Sequence, residues 1–199
     1  MANLVWVSHG NLTLDHVTLG NGSSNLATGI YLTETSQLTL TNSIVASYTT
    51  AVETQNPATA NVDDSLFTSA NPFSGTNIAV GSNNITNTNP LFLDGLAHDY
   101  RLLAGSPAID AGVASSITTD IDGNTRPGPR SSLPDIGAYE CDTITAESIT
   151  ASDTAFWYSA KHRQSLNETV SLSHCDPSNV YTPTTPETEY LTNIPFITR

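Results

Sequence analysis

Three stretches of this chain superimpose when written one beneath another. Residues 12–19 read LTLDHVTL, residues 38–45 read LTLTNSIV and residues 60–67 read ANVDDSLF. Their starts at 12, 38 and 60 are separated by 26 and 22 residues, and a weaker copy, IAVGSNNI, begins 18 residues further on at Ile78. A period in the twenties with strand–turn–strand content is the signature of a solenoid. Each repeat is too small to bury its own apolar side chains, so neighbouring repeats must stack and share one core.

Within a copy the order is apolar–polar–apolar, then a turn, then a second strand. At a strand period of two, Leu12 and Leu14 face the same way, as do Leu38 and Leu40, and the spacing predicts that this way is inward. Leu14, Leu40 and Val62 fill the same place in their copies and are expected to stack. The turn place is taken in succession by His16, Asn42 and Asp64, whose side chains are expected to hydrogen-bond along the solenoid axis and to satisfy turn backbone groups. Further strands fall between the copies, residues 29–32 (GIYL) among them. The fold class that follows is all-β: a short right-handed parallel β-helix over residues 1–88, a loop-rich cap over 89–140 and a Thr/Ser/Pro-rich extended tail over 141–199.

The composition agrees. Thr, Val, Ile and Leu favour strands, and Gly, Asn, Asp and Ser favour tight turns. Charged residues make up 13% of the chain, low enough to suggest a β-rich extracellular protein. Six Lys and Arg stand against 19 Asp and Glu, a net charge of −13, and the first cation is Arg101. A phosphate backbone needs clustered cations, so nucleic acid is excluded as a partner. No apolar run approaches the roughly 18 residues of a membrane span. Residues 1–10 lack the basic start and apolar run of a secretory signal, so an extracellular or cell-surface location implies a mature part or another export route.

Four motifs follow the repeats in order: NPLFLD (89–94), DYRLLAGSPAIDAG (99–112), TDIDGNTRP (119–127) and PDIGAYE (134–140). Together they closely resemble the C-terminal segment of bacterial surface β-helix proteins of the choice-of-anchor Q type. These are related in fold to pectate-lyase-like and polymorphic outer-membrane repeat proteins. The resemblance covers residues 83–140. It implies a segment that closes the solenoid and is often followed by an anchor, and it brings no catalytic residue. Physical reasons point the same way. Pro90 and Pro107 interrupt ladder pairing. Leu91, Phe92, Leu93, Tyr100, Leu102, Leu103, Ile109, Ile136 and Tyr139 could plug the last coil. Arg126, near Asp120, Asp122 and Asp135 in sequence, is expected to pair with an aspartate and fix the loop. Beyond Glu140 no sortase motif and no apolar tail with a basic stop appear.

Candidate chemistry is sparse. Asp63 and Asp64 resemble the adjacent carboxylates of pectin-cleaving β-helix hydrolases. That chemistry needs an acid and a base facing one cleft, whereas neighbours on a strand face opposite ways, and residues 1–100 supply no cation to hold an acidic sugar. The run Asp120, Asp122, Asn124 around Gly123 has the alternating oxygens of a Ca²⁺ loop. It ends in Ser131 and Ser132 where a closing Glu would stand, and a glycine turn capped by Asp side chains is the competing reading. His9 and His16 read as structural, and Asn11, Asn21, Asn84 and Asn167 head sequons that need carry no sugar. Cys141 and Cys175 could pair in an oxidising compartment or remain thiols. A zinc site from His162, His174 and Cys175 has no standard spacing.

The function expected from the sequence is therefore a non-enzymatic extracellular structural or cell-surface protein. It would form homo-oligomers by strand or coil stacking, and head-to-tail filaments if residues 180–197 dock on a neighbour. The alternative is a carbohydrate-binding or carbohydrate-active module with an extracellular glycan as partner, which a row of exposed aromatics along one solenoid face would favour.

Overall fold

The computed structural model describes residues 3–21, 26–129, 131–141, 143–144 and 172–173. The described residues are all-β, without a helix, and their parallel sheets stack as a solenoid of about three turns. Coil 1 consists of β1 (Asn3–Val7), β2 (Asn11–Asp15) and β3 (Thr18–Gly20). Coil 2 repeats it with β4 (Leu26–Leu32), β5 (Gln37–Thr41) and β6 (Ile44–Ala46), and coil 3 with β7 (Tyr48–Thr54), β8 (Thr59–Val62) and β9 (Leu66–Phe67). A shorter fourth coil has β10 (Phe73–Gly75) and β11 (Ile78–Val80), and Ile85 then bridges to Leu66. Sheet A stacks β1-β4-β7-β10, sheet B stacks β2-β5-β8-β11 and sheet C stacks β3-β6-β9.

The register bears out the repeat alignment. Leu14 pairs with Leu40, Leu40 with Val62 and Val62 with Val80. Four further inward rows run alongside: Val5–Ile30–Val52–Phe73, Val7–Leu32–Thr54–Gly75, Leu12–Leu38–Ala60–Ile78 and Leu19–Val45–Phe67. In coils 2 and 3 the apolar members of these rows are fully buried, while Val5, Val7, Leu12, Leu14, Leu19, Phe73 and Ile78 at the two ends are only half-buried. The interior has little aromatic filling, and Phe67 meets Phe73 edge-on at 5.1 Å.

His16, Asn42 and Asp64 share a left-handed conformation, with φ of 54°, 49° and 48°. Two of the three bond along the axis as expected, Asn42 Nδ2 donating to Asp15 Oδ1 on coil 1 and Asp64 Oδ1 accepting Asn83 Nδ2 from the fourth coil, both at 3.0 Å. A second axial ladder runs one residue later. The Val17 N–H donates to Ser43 Oγ, the Ser43 N–H to Ser65 Oγ and the Ser65 N–H to Asn84 Oδ1, each at 3.1 Å. The left-handed residue turns the chain through the corner, and this leaves the next N–H pointing along the axis. A short side chain on the coil beyond is what can accept it.

The cap is loop-rich, with one hairpin formed by β12 (Phe92–Asp94) and β13 (Asp99–Leu102). Its place differs from the expected plug. It lies along the flank of the solenoid, over sheet C. Ile44, Ala46 and Leu66 bury their side chains against Leu102, Ala108 and Ile136, making a second core separate from the solenoid interior. The physical reason is in the repeat itself: residues 44–46 are apolar at three successive positions, so sheet C needs cover on both faces. Beyond the cap, β14 (Thr143–Ile144) pairs antiparallel with β15 (Leu172–Ser173). The tail at 180–197 and the residues His162, His174, Cys175 and Asn167 lie outside the described residues.

Candidate functional site

The TDIDGN run lies against the cap's own backbone. Asp120 is buried, and its Oδ1 accepts the N–H groups of Asp122 (2.9 Å) and Asn124 (2.8 Å). Its Oδ2 accepts Asn124 Nδ2 (3.0 Å) and the Glu140 N–H (2.9 Å). Gly123, at φ 88°, closes the turn by donating to the Asp120 carbonyl. Asp122 and Asn124 are exposed. The structure thus brings the three candidate ligands into one loop, with the Asp120 carboxylate engaged by four N–H donors. Among the described residues no group of three or more His, Cys, Asp or Glu side chains is arranged to hold a metal ion.

Next to this loop is a buried polar junction between cap and solenoid. Arg126 is 6% exposed. One Nη1 bond goes to Glu140 Oε2 and another to the Asp135 carbonyl, both 3.0 Å, and Nη2 reaches the Gly137 carbonyl at 2.9 Å. Its ionic partner is Glu140, where the sequence suggested an aspartate. Glu140 also accepts the N–H groups of Gly128 (2.8 Å) and Asp135 (3.0 Å). Asp135 is fully buried and accepts from the N–H groups of Asp110 (2.8 Å) and Cys141 (2.6 Å). Burial pushes its carboxyl up to about 7 against those donors, and burial likewise raises Glu140. Cys141 is disulfide-bonded, which decides between the alternatives left open for it.

His16 enters the junction from coil 1. Its Nδ1 lies 3.1 Å from the Asp135 carbonyl, so Nδ1 carries the proton and donates. Burial, reinforced by the Arg126 charge, lowers its pKa. Thr18 Oγ1 accepts the Ala138 N–H at 3.0 Å, and the Asn42 carbonyl accepts the Gly137 N–H at 2.7 Å. Gly137 sits at φ 106°, and a Cβ there would stand 2.7 Å from Ile44 Cδ1, so both the conformation and the close approach call for glycine.

Asp63 and Asp64 serve the last turn. Asp63 Oδ1 accepts the Asp64 N–H at 3.0 Å, and Asp64 Oδ1 accepts Asn83 Nδ2 at 3.0 Å. Asp64 is buried in its left-handed turn, and Gly81 packs on Asp63. His9 is exposed in the turn between β1 and β2.

The outer face of sheet A carries a row the sequence reading did not assemble. Trp6 is 70% exposed and in register with Tyr31, which is in register with Glu53 and then Ser74. The signal was present as a 25-residue spacing between the two aromatics, one coil apart. Trp6 Nε1 donates to Thr33 Oγ1 at 3.1 Å, and the Tyr31 hydroxyl donates to Gln55 Oε1 at 3.3 Å.

Compared with protein-family models, with curated proteins and with solved structures, the chain finds no match. No helix among the described residues is long and apolar enough to cross a membrane.

Proposed function

We propose that this chain is a non-enzymatic structural protein of the extracellular space or cell surface that self-associates by stacking coil on coil. The observation that carries the reading is the fourth coil. Phe73, Ile78 and Val80 continue the core rows to an end where Val80 is 50% exposed. The outer edges of β10 and β11 have no strand partner among the described residues, and neither strand contains a charge or a proline, the usual devices that keep an edge from pairing. A second copy presenting its own half-buried coil 1 rows would extend the same core. Three further features support the reading. The carboxylates that resembled catalytic groups are engaged in turns, the disulfide at Cys141 fits an oxidising compartment, and the four cap motifs resemble the choice-of-anchor Q segment of surface β-helix proteins.

The test is light scattering over a concentration series, with negative-stain electron microscopy of the full chain. Oligomers or rods that Val80→Lys suppresses are the expected result. A strictly monomeric protein at high concentration overturns the reading, as do assemblies that Val80→Lys leaves unchanged.

A further inference from the structure

We propose that the outer face of sheet A binds a neutral glycan, with Trp6 and Tyr31 as its stacking platform. The inference is independent of coil stacking, because it uses the side of the solenoid and not its end.

Adjacent strands of a sheet lie about 4.8 Å apart. Trp6 and Tyr31, paired in register on β1 and β4, therefore stand one strand apart on the same face of the sheet. An exposed Trp is uncommon on a surface with no partner, and large exposed aromatics are enriched where binding energy concentrates. Both side chains are held in place: the indole is tied to Thr33 and the phenol to Gln55. Fixed rings cost little conformational entropy when a ligand arrives. The polar groups beside them are the exposed Gln55 amide and the half-buried Glu53 carboxylate. The Thr28 and Thr33 hydroxyls are buried and occupied, Thr28 Oγ1 donating to Glu53 Oε2 at 2.9 Å and Thr33 Oγ1 accepting the indole N–H.

A ligand suited to this surface has an apolar C–H face to lie on the rings and hydroxyls to exchange hydrogen bonds at the rim. A pyranose has both. Its charge follows from the electrostatics. Residues 1–100 contain no Lys or Arg, so nothing in the solenoid can neutralise a uronate, and Glu53 would repel one. The platform thus selects a neutral glycan over an acidic one. A peptide adding as a strand would use a sheet edge, whereas this surface is made by side chains on a sheet face.

The experiment is native affinity electrophoresis of the full chain in gels containing a neutral β-glucan, a neutral xylan, polygalacturonate or chitosan, followed by isothermal titration with the retarding glycan. At least one neutral glycan should retard the protein. Trp6→Ala should weaken that binding about tenfold or more, Tyr31→Ala should weaken it too, and Trp6→Phe should keep part of it. Because Trp6 is mostly exposed, its variants should retain the far-ultraviolet spectrum of the wild type. The proposal is overturned by absence of binding to every neutral glycan tested, by undiminished binding of Trp6→Ala, or by polygalacturonate binding as well as the neutral glycan. Retardation by chitosan alone would overturn it too, since that reports only the attraction of a polycation to a chain of charge −13.

Discussion

Asn42 holds Val113, 71 residues away, by both of its amide groups: the Val113 N–H donates to Oδ1 at 2.7 Å, and Nδ2 donates to the Val113 carbonyl at 3.1 Å. The side-chain amide acts as a detached peptide unit and gives an irregular cap segment the two bonds a strand neighbour would have given. Nδ2 also reaches Asp15 Oδ1 on coil 1 at 3.0 Å, so one side chain joins two coils and the cap.

That arrangement predicts the outcome at position 42. Asn42→Gly keeps the left-handed turn and loses the amide, leaving the Val113 N–H unbonded by protein. Stability should fall by about 1–3 kcal/mol, and the Val113 amide should lose protection in hydrogen exchange. Asn42→Ala should cost a further ~1 kcal/mol, because a Cβ is strained at that φ. Unchanged exchange at Val113 in the glycine variant would show that the amide does not hold the cap.

The row Leu14–Leu40–Val62 sets a second expectation. Leu40→Ala should cost about 2–5 kcal/mol in urea unfolding, since the site lies between occupied rungs and cannot collapse. Leu14→Ala, at the half-buried end, should cost less. Equal losses would mean that coil 1 is as enclosed as coil 2.

At the junction, Arg126 and Glu140 are each 1% exposed in their side chains. Arg126→Met strands a buried carboxylate and should cost about 3–5 kcal/mol. Arg126→Met combined with Glu140→Gln removes the stranded charge and should be more stable than the single variant. Strict additivity of the two substitutions in a double-mutant cycle would show that the pair is uncoupled.

The pH dependence has two opposed parts. Asp135 titrates at about 7 in the fold against an ordinary 3.8, so over that range the folded protein binds a proton that the unfolded chain has released. The stability it contributes is complete below the ordinary value and is lost as pH rises through about 7. His16 runs the other way. Its folded pKa is lowered from 6.5, so the unfolded chain takes up a proton first as pH falls, and stability is lost below about 6.5. In urea titrations from about pH 8 to about pH 5, wild type should therefore gain on Asp135→Asn as the pH falls, and His16→Asn should gain on wild type. Parallel curves for Asp135→Asn would mean that the two N–H donors outweigh burial and keep Asp135 ionised.

The solenoid was legible because its rule is local. Leu12, Leu14, Leu38 and Leu40 mark the inward rows by period alone, and His16, Asn42 and Asp64 mark the corner at the same offset. The position of the cap was not legible. Its apolar residues say that it must cover something, but an open coil end and the outer face of sheet C are both apolar, and only the run Ile44–Val45–Ala46 hints at the second. Arg126 likewise had several acids in reach, and its pairing with Glu140 depends on how the loop from 127 to 139 folds back. The Trp6–Tyr31 row needed the register, since two isolated aromatics become a surface only when one coil is laid on the next.

A stack of coils bonded only to nearest neighbours can fray from either end and can be completed one unit at a time. The flank segment removes that freedom. His16 and Thr18 obtain partners from Asp135 and Ala138, 119 and 120 residues later. Coil 1 is synthesised before the cap, yet its corner can take its final bonds only after residue 138 has emerged. Long-range closure of this kind slows folding and makes it more all-or-none. Until it happens, the outer face of sheet C stands uncovered, and a chain truncated before residue 134 should remain in that state.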